Sequence, residues 1–278
     1  PLSYLQTQID RLNLPETIKL TAAITRKNGI AATQVNVGLP HATTAQMPSP
    51  PLRHLHDIEQ IITAADLPAR VIAWSLAIFR RLAEAEGAIH GIDPQQVHFH
   101  EVGATDAIVD IVGTCLGLDW LNVDELHCAP LPTGRGTVRA AHGRLPVPAP
   151  AVLKLMEMAQ VPIYNAGLVG ELVTPTGAAI ATELAAHFGE PPALQLQKVG
   201  LGAGSKDLAL PNILRLWLGT TTTPVSTPVH HAQHHAHQAP SPPAESTATH
   251  HHPHEHSAPE PAPSHDRAAV PPAASHAA

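Results

Sequence analysis

The densest group of side chains able to hold or activate a ligand lies mid-chain, where His98, His100 and Glu101 are followed by Asp106 and Asp110. In an extended segment over 96–101, alternation of side chains sends His98 and His100 to one side. On a helix beginning near Ala104, Asp106 and Asp110 are one turn apart and share a face. Imidazoles and carboxylates converging at such a junction can hold a divalent ion; imidazole suits nickel and zinc, carboxylate suits magnesium and manganese. Local hydrogen bonding and ordinary helix-start acids account for the same residues, so spacing alone leaves both readings open.

A second candidate is the run Glu171-Leu172-Val173-Thr174-Pro175-Thr176-Gly177. Thr174 can cap a helix whose first turn holds Pro175, and free N–H groups there attract phosphate, with Thr176 adding a hydroxyl. Capping by itself explains the run equally well. The glycines of Gly200-Leu201-Gly202-Ala203-Gly204 let a backbone approach a ligand, yet no Lys-Ser/Thr follows as in a phosphate loop, and a tight turn or bulge is expected. Arg135, Arg139, His142 and Arg144 surround a Gly-containing turn at 133–136, where they either meet an anion or are simply solvated. His54 and His56 read as surface histidines at a helix start, and Cys128 as a buried, inert thiol.

Twelve of the 21 histidines fall between His230 and His276. Ten are clustered: His230, His231, His234, His235, His237, His250, His251, His252, His254 and His256. Such tracts bind transition metals through neutral imidazole without a fold, so these ten are read as a metal buffer.

The elements that must position these groups follow from apolar spacing. A helix end is expected over 2–12, and two strands over 17–37 that turn at Asn28-Gly29, a hairpin signal. A Pro-rich loop containing His41 spans 40–51. Helices are expected over 52–66 and 68–90, where Ile58, Ile61, Ile62 and then Val71, Ile78 and Leu82 recur at helical spacing. A third helix, over 104–120, is apolar nearly all round, and Gly113 and Gly117 in it are expected to admit a close neighbour. A strand over 125–131, helices over 148–159 and from Thr174 to a stop at Gly189, and last strands over 194–199 and 213–218 complete an α+β fold, a mixed sheet packed with several helices.

Composition divides the 278 residues into a foldable part, 1–219, and a His/Pro-rich tail, 220–278, with too few large apolar side chains to offset ordering entropy and therefore expected to be disordered. Aromatics make up only 3%, so the core must be aliphatic. A net charge of −7 without a visible basic face argues against a nucleic-acid partner. Two cysteines, Cys115 and Cys128, lack the spacing of a disulfide framework or zinc ribbon, which fits a reducing cytoplasm. Asp106, Asp110 and Asp119 interrupt the longest apolar run, which argues against a membrane span.

Several ordered segments resemble one family. The run from His98 through Phe99, His100, Glu101, Val102, Gly103, Ala104, Thr105 and Asp106 to Asp110 and Gly113 is similar to the signature of the nickel-pincer cofactor nickel insertion proteins, the LarC family. His142-Gly143, the Pro146 to Ala151 run, Glu171 to Ile180, Gly200 to Gly204 and Pro211 to Arg215 follow in that family's order. The resemblance implies a cytoplasmic nickel chelatase acting on pyridinium-3,5-bisthiocarboxylic acid mononucleotide. It also implies CTP hydrolysis with Mn(2+) or Mg(2+), handover of the product to a lactate racemase-type enzyme, and a homo-oligomer. Under it His98, His100, Glu101, Asp106 and Asp110 become candidate metal ligands. Thr174, Thr176, Gly177, Gly202, Gly204, Arg135 and His142 become candidate substrate-binding groups. The family's opening Asp-Cys-Phe-Ser-Gly-like segment and its C-terminal CTP-associated domain have no counterpart in this sequence, where the His-rich tail follows instead. Two alternatives stand beside this reading: a non-catalytic nickel storage or delivery protein, and a metal-dependent phosphohydrolase using His98, His100, Glu101 and Asp106.

Overall fold

The computed structural model describes residues 1–39, 53–99, 104–140 and 143–222. His41, His100, Glu101, His142 and the tail histidines lie outside the described residues.

The chain begins with α1 (Leu2–Asp10), which buries Ile9. Strands β1 (Lys19–Lys27) and β2 (Ile30–Gly38) then form the expected antiparallel hairpin, with Lys27 opposite Ile30. Asn28 and Gly29, at φ 48° and 86°, make the two-residue turn whose twist suits such a ladder. Two short strands, β3 (Arg53–His54) and β4 (His98–Phe99), pair antiparallel across a long excursion of chain. Arg53 and His54 were expected inside a helix; their pairing with β4 holds them extended, and α2 (Leu55–Ala64) starts only after them.

Helix α3 (Ala69–His90) is the hub, packing against α2, α4 (Thr105–Trp120), α5 (Pro150–Met158) and α6 (Pro175–Leu184). Its inner face carries Val71, Ile78, Phe79 and Leu82, all fully buried. They recur at the three- and four-residue intervals that build one apolar stripe, and each side chain of this size removed from water contributes about 1.5–3 kcal/mol. It ends at Gly91, whose φ of 67° is the left-handed conformation that terminates helices. Arg81 on α3 pairs with Glu183 on α6, adding a polar tie at that contact.

Helix α4 buries Ile108, Ile111, Val112, Cys115 and Leu116 in the same core, as its apolar character requires. Among the described residues, the close neighbour expected at Gly113 and Gly117 is not observed. Both glycines face open space, because the core contacts come from the opposite side of the helix.

Four further strands follow α4: β5 (Leu126–Cys128), β6 (Leu131–Arg135), β7 (Thr137–Ala140) and β8 (Gly143–Pro146). The strand expected over 125–131 is thus divided between β5 and β6. The turn expected at 133–136 is displaced, since Thr133 and Arg135 pair in parallel with β9 (Ile163–Val169) and only Gly136 takes a positive φ before β7 begins. Helix α6 stops at Leu184 rather than Gly189. Beyond it β10 (Ala185–Phe188) turns extended to pair in parallel with β5. Strand β11 (Leu194–Ala203) runs through Gly200 and Gly202, where a turn or bulge was expected; the register shift falls earlier, between Leu196 and Lys198. With β12 (Ile213–Thr221) it completes a sheet ordered β1-β2-β11-β12, mixed because β11 meets β2 in parallel. The architecture is α+β, as expected. No described helix is long and apolar enough to cross a membrane.

Candidate functional site

The β3–β4 ladder places His54 directly opposite His98. Their rings lie with centroids 4.1 Å apart and planes tilted by 52°. In a two-residue strand the neighbouring side chains point the other way, and here they are buried: Arg53 beside His54 and Phe99 beside His98. Phe99 packs edge-on against Phe79 of α3 at 6.3 Å. The Arg53 guanidinium donates to Thr105 Oγ1 at 3.3 and 3.4 Å and stands 3.8 Å from Glu16. Thr105 in turn donates to Glu16 Oε2 at 2.9 Å. A buried charge is tolerated only when paired and hydrogen-bonded, and this network meets that requirement while fastening β3 to the first turn of α4.

His54 has a second constraint. Its backbone N–H donates to Asp57 Oδ2 at 2.8 Å, so it occupies the cap position of α2, and its Nδ1 lies 3.6 Å from the same carboxylate. The imidazole pair is therefore held from one side by the cap of α2 and from the other by the anchored β4.

Immediately after Thr105 comes Asp106, and one turn later Asp110. The Asp110 carboxyl keeps an edge to solvent, yet desolvation, and secondarily the like charge of Asp106, pushes its pKa up to about 6. An added cation nearby would reverse both effects by favouring the ionised form. Of the five predicted metal residues, the structure thus describes His98, Asp106 and Asp110, and it adds His54, which sequence reasoning left as a surface residue. The available signal was weak: a histidine just before an apolar-periodic helix gains significance only from its register with a distant strand. Among the described residues no three His, Cys, Asp or Glu side chains already stand in an arrangement that could hold a metal ion.

The predicted substrate residues fall into two groups. Thr174 caps α6, its Oγ1 accepting from Gly177 N–H at 3.1 Å, so that donor is already engaged. Gly170 N–H donates to the Arg135 carbonyl at 2.8 Å, and a Cβ at Gly134 would strike the Gly170 carbonyl at 1.9 Å. The loop leading to α6 therefore lies against the Arg135 strand, bringing together two segments that sequence alone kept apart. Gly202 sits within the sheet, between Thr33 and Leu214, and Gly204 donates to the Asn212 carbonyl at 3.0 Å; neither belongs to the Arg135 group. Cys128 is half-buried rather than fully buried, and burial raises its thiol pKa, in keeping with an unreactive group.

An α+β domain that presents a cross-strand imidazole pair, with two carboxylates following close along the chain in α4, defines a candidate metal-handling protein. The chain belongs to the nickel insertion protein family, whose profile matches residues 1–249. It is 61% identical over 230 residues to a protein of Synechocystis described as "Putative nickel insertion protein", covering 82% of this chain and 54% of that one. Relatives carrying the same description in Synechococcus elongatus and Nostoc are 58% and 56% identical, covering 82% and 79% of this chain and 55% and 53% of their own lengths. The chain thus spans about half the length of the curated relatives it matches. No solved structure matches it.

Proposed function

We propose that this chain supplies the nickel-holding part of a chelatase that inserts Ni(2+) into pyridinium-3,5-bisthiocarboxylic acid mononucleotide, with His98 and His54 as nitrogen donors. The observation that supports this reading is the pairing of these two imidazoles by strand register, with the carboxylates of Asp106 and Asp110 following a few residues further along the chain in α4. Nickel is the cargo, and neutral imidazole suits it. His100 and Glu101 complete the donor set in this reading, and Asp106 and Asp110 orient ligands or hold the Mn(2+) or Mg(2+) that accompanies CTP. The donors near Thr174, Thr176 and Arg135 take the substrate phosphate. CTP use, assembly into a homo-oligomer and delivery of the product to a racemase belong to the same proposal, and the CTP step draws on polypeptide beyond this chain.

The test mixes the chain with the remaining portion of the Synechocystis relative, the precursor mononucleotide, Ni(II), Mn(II) and CTP, and follows the nickel adduct by mass spectrometry. The expected result is adduct formation that falls about tenfold or more in His98→Ala, and by a smaller factor in His54→Ala. Adduct formed equally well by both variants would falsify the assignment. If no adduct forms while Ni(II) is bound stoichiometrically, the chain is a storage or delivery protein instead.

A further inference from the structure

The parallel pairing of β5 with β10 assembles a second group of donors, far along the chain from His98. His127 and His187 are register partners, so their side chains emerge on the same side of the ladder. Glu125, two residues before His127, is brought to that side by the alternation of extended backbone. Both imidazoles address a single carboxylate oxygen: Glu125 Oε1 lies 2.6 Å from His127 Nε2 and 3.8 Å from His187 Nε2. The two rings are 5.3 Å apart between centroids and inclined by only 30°.

A plain His–Glu hydrogen bond does not describe this group. Despite its proximity to the carboxylate, the buried His127 Nε2 makes no correctly directed hydrogen bond. A buried ring nitrogen left in that condition costs free energy, and such an atom calls for a partner. Glu125 and His187 are by contrast exposed, so the group opens to solvent on the side away from His127. An open cleft of about 270 Å³ borders this group at Glu125, lined also by Asp124 and by Glu183, which is paired with Arg81.

We propose that Glu125, His127 and His187 form a binding site for a divalent first-row transition ion, with two imidazoles and one carboxylate as ligands and the remaining positions open to water or a small anion. Two imidazoles with one carboxylate are a donor set such ions accept. The group is closed on itself as it stands. With metal–ligand bonds of about 2.0–2.2 Å, two ligands of one ion stand roughly 3 Å or more apart, so the Glu125 carboxylate must rotate away from His127 to admit it. Glu125 is an exposed side chain free to make that rotation. The site is independent of the one assigned to His98 and His54, and stands whether or not that assignment holds.

The experiment is residue-resolved histidine labelling of the full chain with diethyl pyrocarbonate, read by peptide mass spectrometry. Ni(II) and then Zn(II) are held at defined free concentrations by a nitrilotriacetate buffer, so that the tail histidines do not set the free metal. Coordination blocks the ring nitrogen, so His187 labelling is expected to fall about fivefold or more as metal rises. In Glu125→Ala the midpoint of that protection moves to metal about tenfold higher or more. His54, read in the same digest, keeps its own response in this variant, which separates the two sites. Should Glu125→Ala lose its native circular dichroism, Glu125→Gln serves, with a smaller shift in the same direction. Unchanged labelling of His187 in the wild-type chain overturns the proposal, as does protection with the same midpoint in a folded Glu125 variant.

Discussion

The helical layer and the four-stranded sheet treat their apolar side chains in opposite ways. Around α3 an inner stripe of aliphatic residues is buried completely, including Val71, Ile78 and Leu82 on that helix and Ile108, Ile111, Val112 and Leu116 on α4. Across β1, β2, β11 and β12, register places Ile24, Val35, Leu214 and Leu216 on one face, and all four are exposed, Ile24 by 72% and Leu214 by 67%. The stability of the described residues is therefore concentrated in the helices. The imidazole pair is fastened to that layer, through Phe99 on Phe79 and Arg53 on Thr105, and not to the sheet.

Substitutions can break or sharpen this contrast. The largest effect is expected for Phe99→Ala, which leaves a cavity beside Phe79 and should cost about 3–5 kcal/mol in chemical denaturation. A loss below about 1 kcal/mol would show that the ladder carrying His98 is not held by the helical core.

A smaller effect is expected at Asp110. Its pKa is raised in the folded state to about 6 from an ordinary 3.8, so the folded chain binds this proton more tightly than the unfolded chain does. The sign follows: this carboxyl costs no stability below its unfolded pKa, and the cost grows as pH rises to about 6 and is constant above. Asp110→Asn should raise the melting temperature by about 1–3 °C at pH 7.5 and leave it nearly unchanged at pH 4. An equal shift at both pH values would remove the electrostatic cause.

The smallest effect is expected in the sheet. Leu214→Ser should change stability by no more than about 0.5 kcal/mol, because the side chain loses little burial. A cost comparable to that of Phe99→Ala would mean the apolar face is covered in solution, and would erase the distinction between the two layers.

What could be read from the sequence follows the range of the interactions involved. The bodies of α2 through α5 were legible, because three- and four-residue apolar spacing is a local property and the buried residues Ile58, Ile62, Ile78 and Ile111 obey it. The hairpin at Asn28-Gly29 was legible for the same reason. The end of α6 was not. Ala185 and Phe188 are compatible with a helix, and only the parallel partner β5, distant in the chain, holds them extended. Strand β9 was missed as well, since Asn165 and Gly167 interrupt any simple alternation. The candidate site shows the same limit. His98, Asp106 and Asp110 were visible as a sequence cluster, whereas His54, His127 and His187 acquire their neighbours only through pairing between remote segments.

A ladder of two residue pairs contributes little cohesion of its own, so the bond between Arg53 and the start of α4 has a further consequence. It acts as an indexing pin. Slip the chain by a single position at β3 and the guanidinium would swing to solvent while the imidazole turned inward, since adjacent side chains take opposite sides. The outward presentation of His54 is thus decided by a residue whose own side chain lies on the opposite side of the strand.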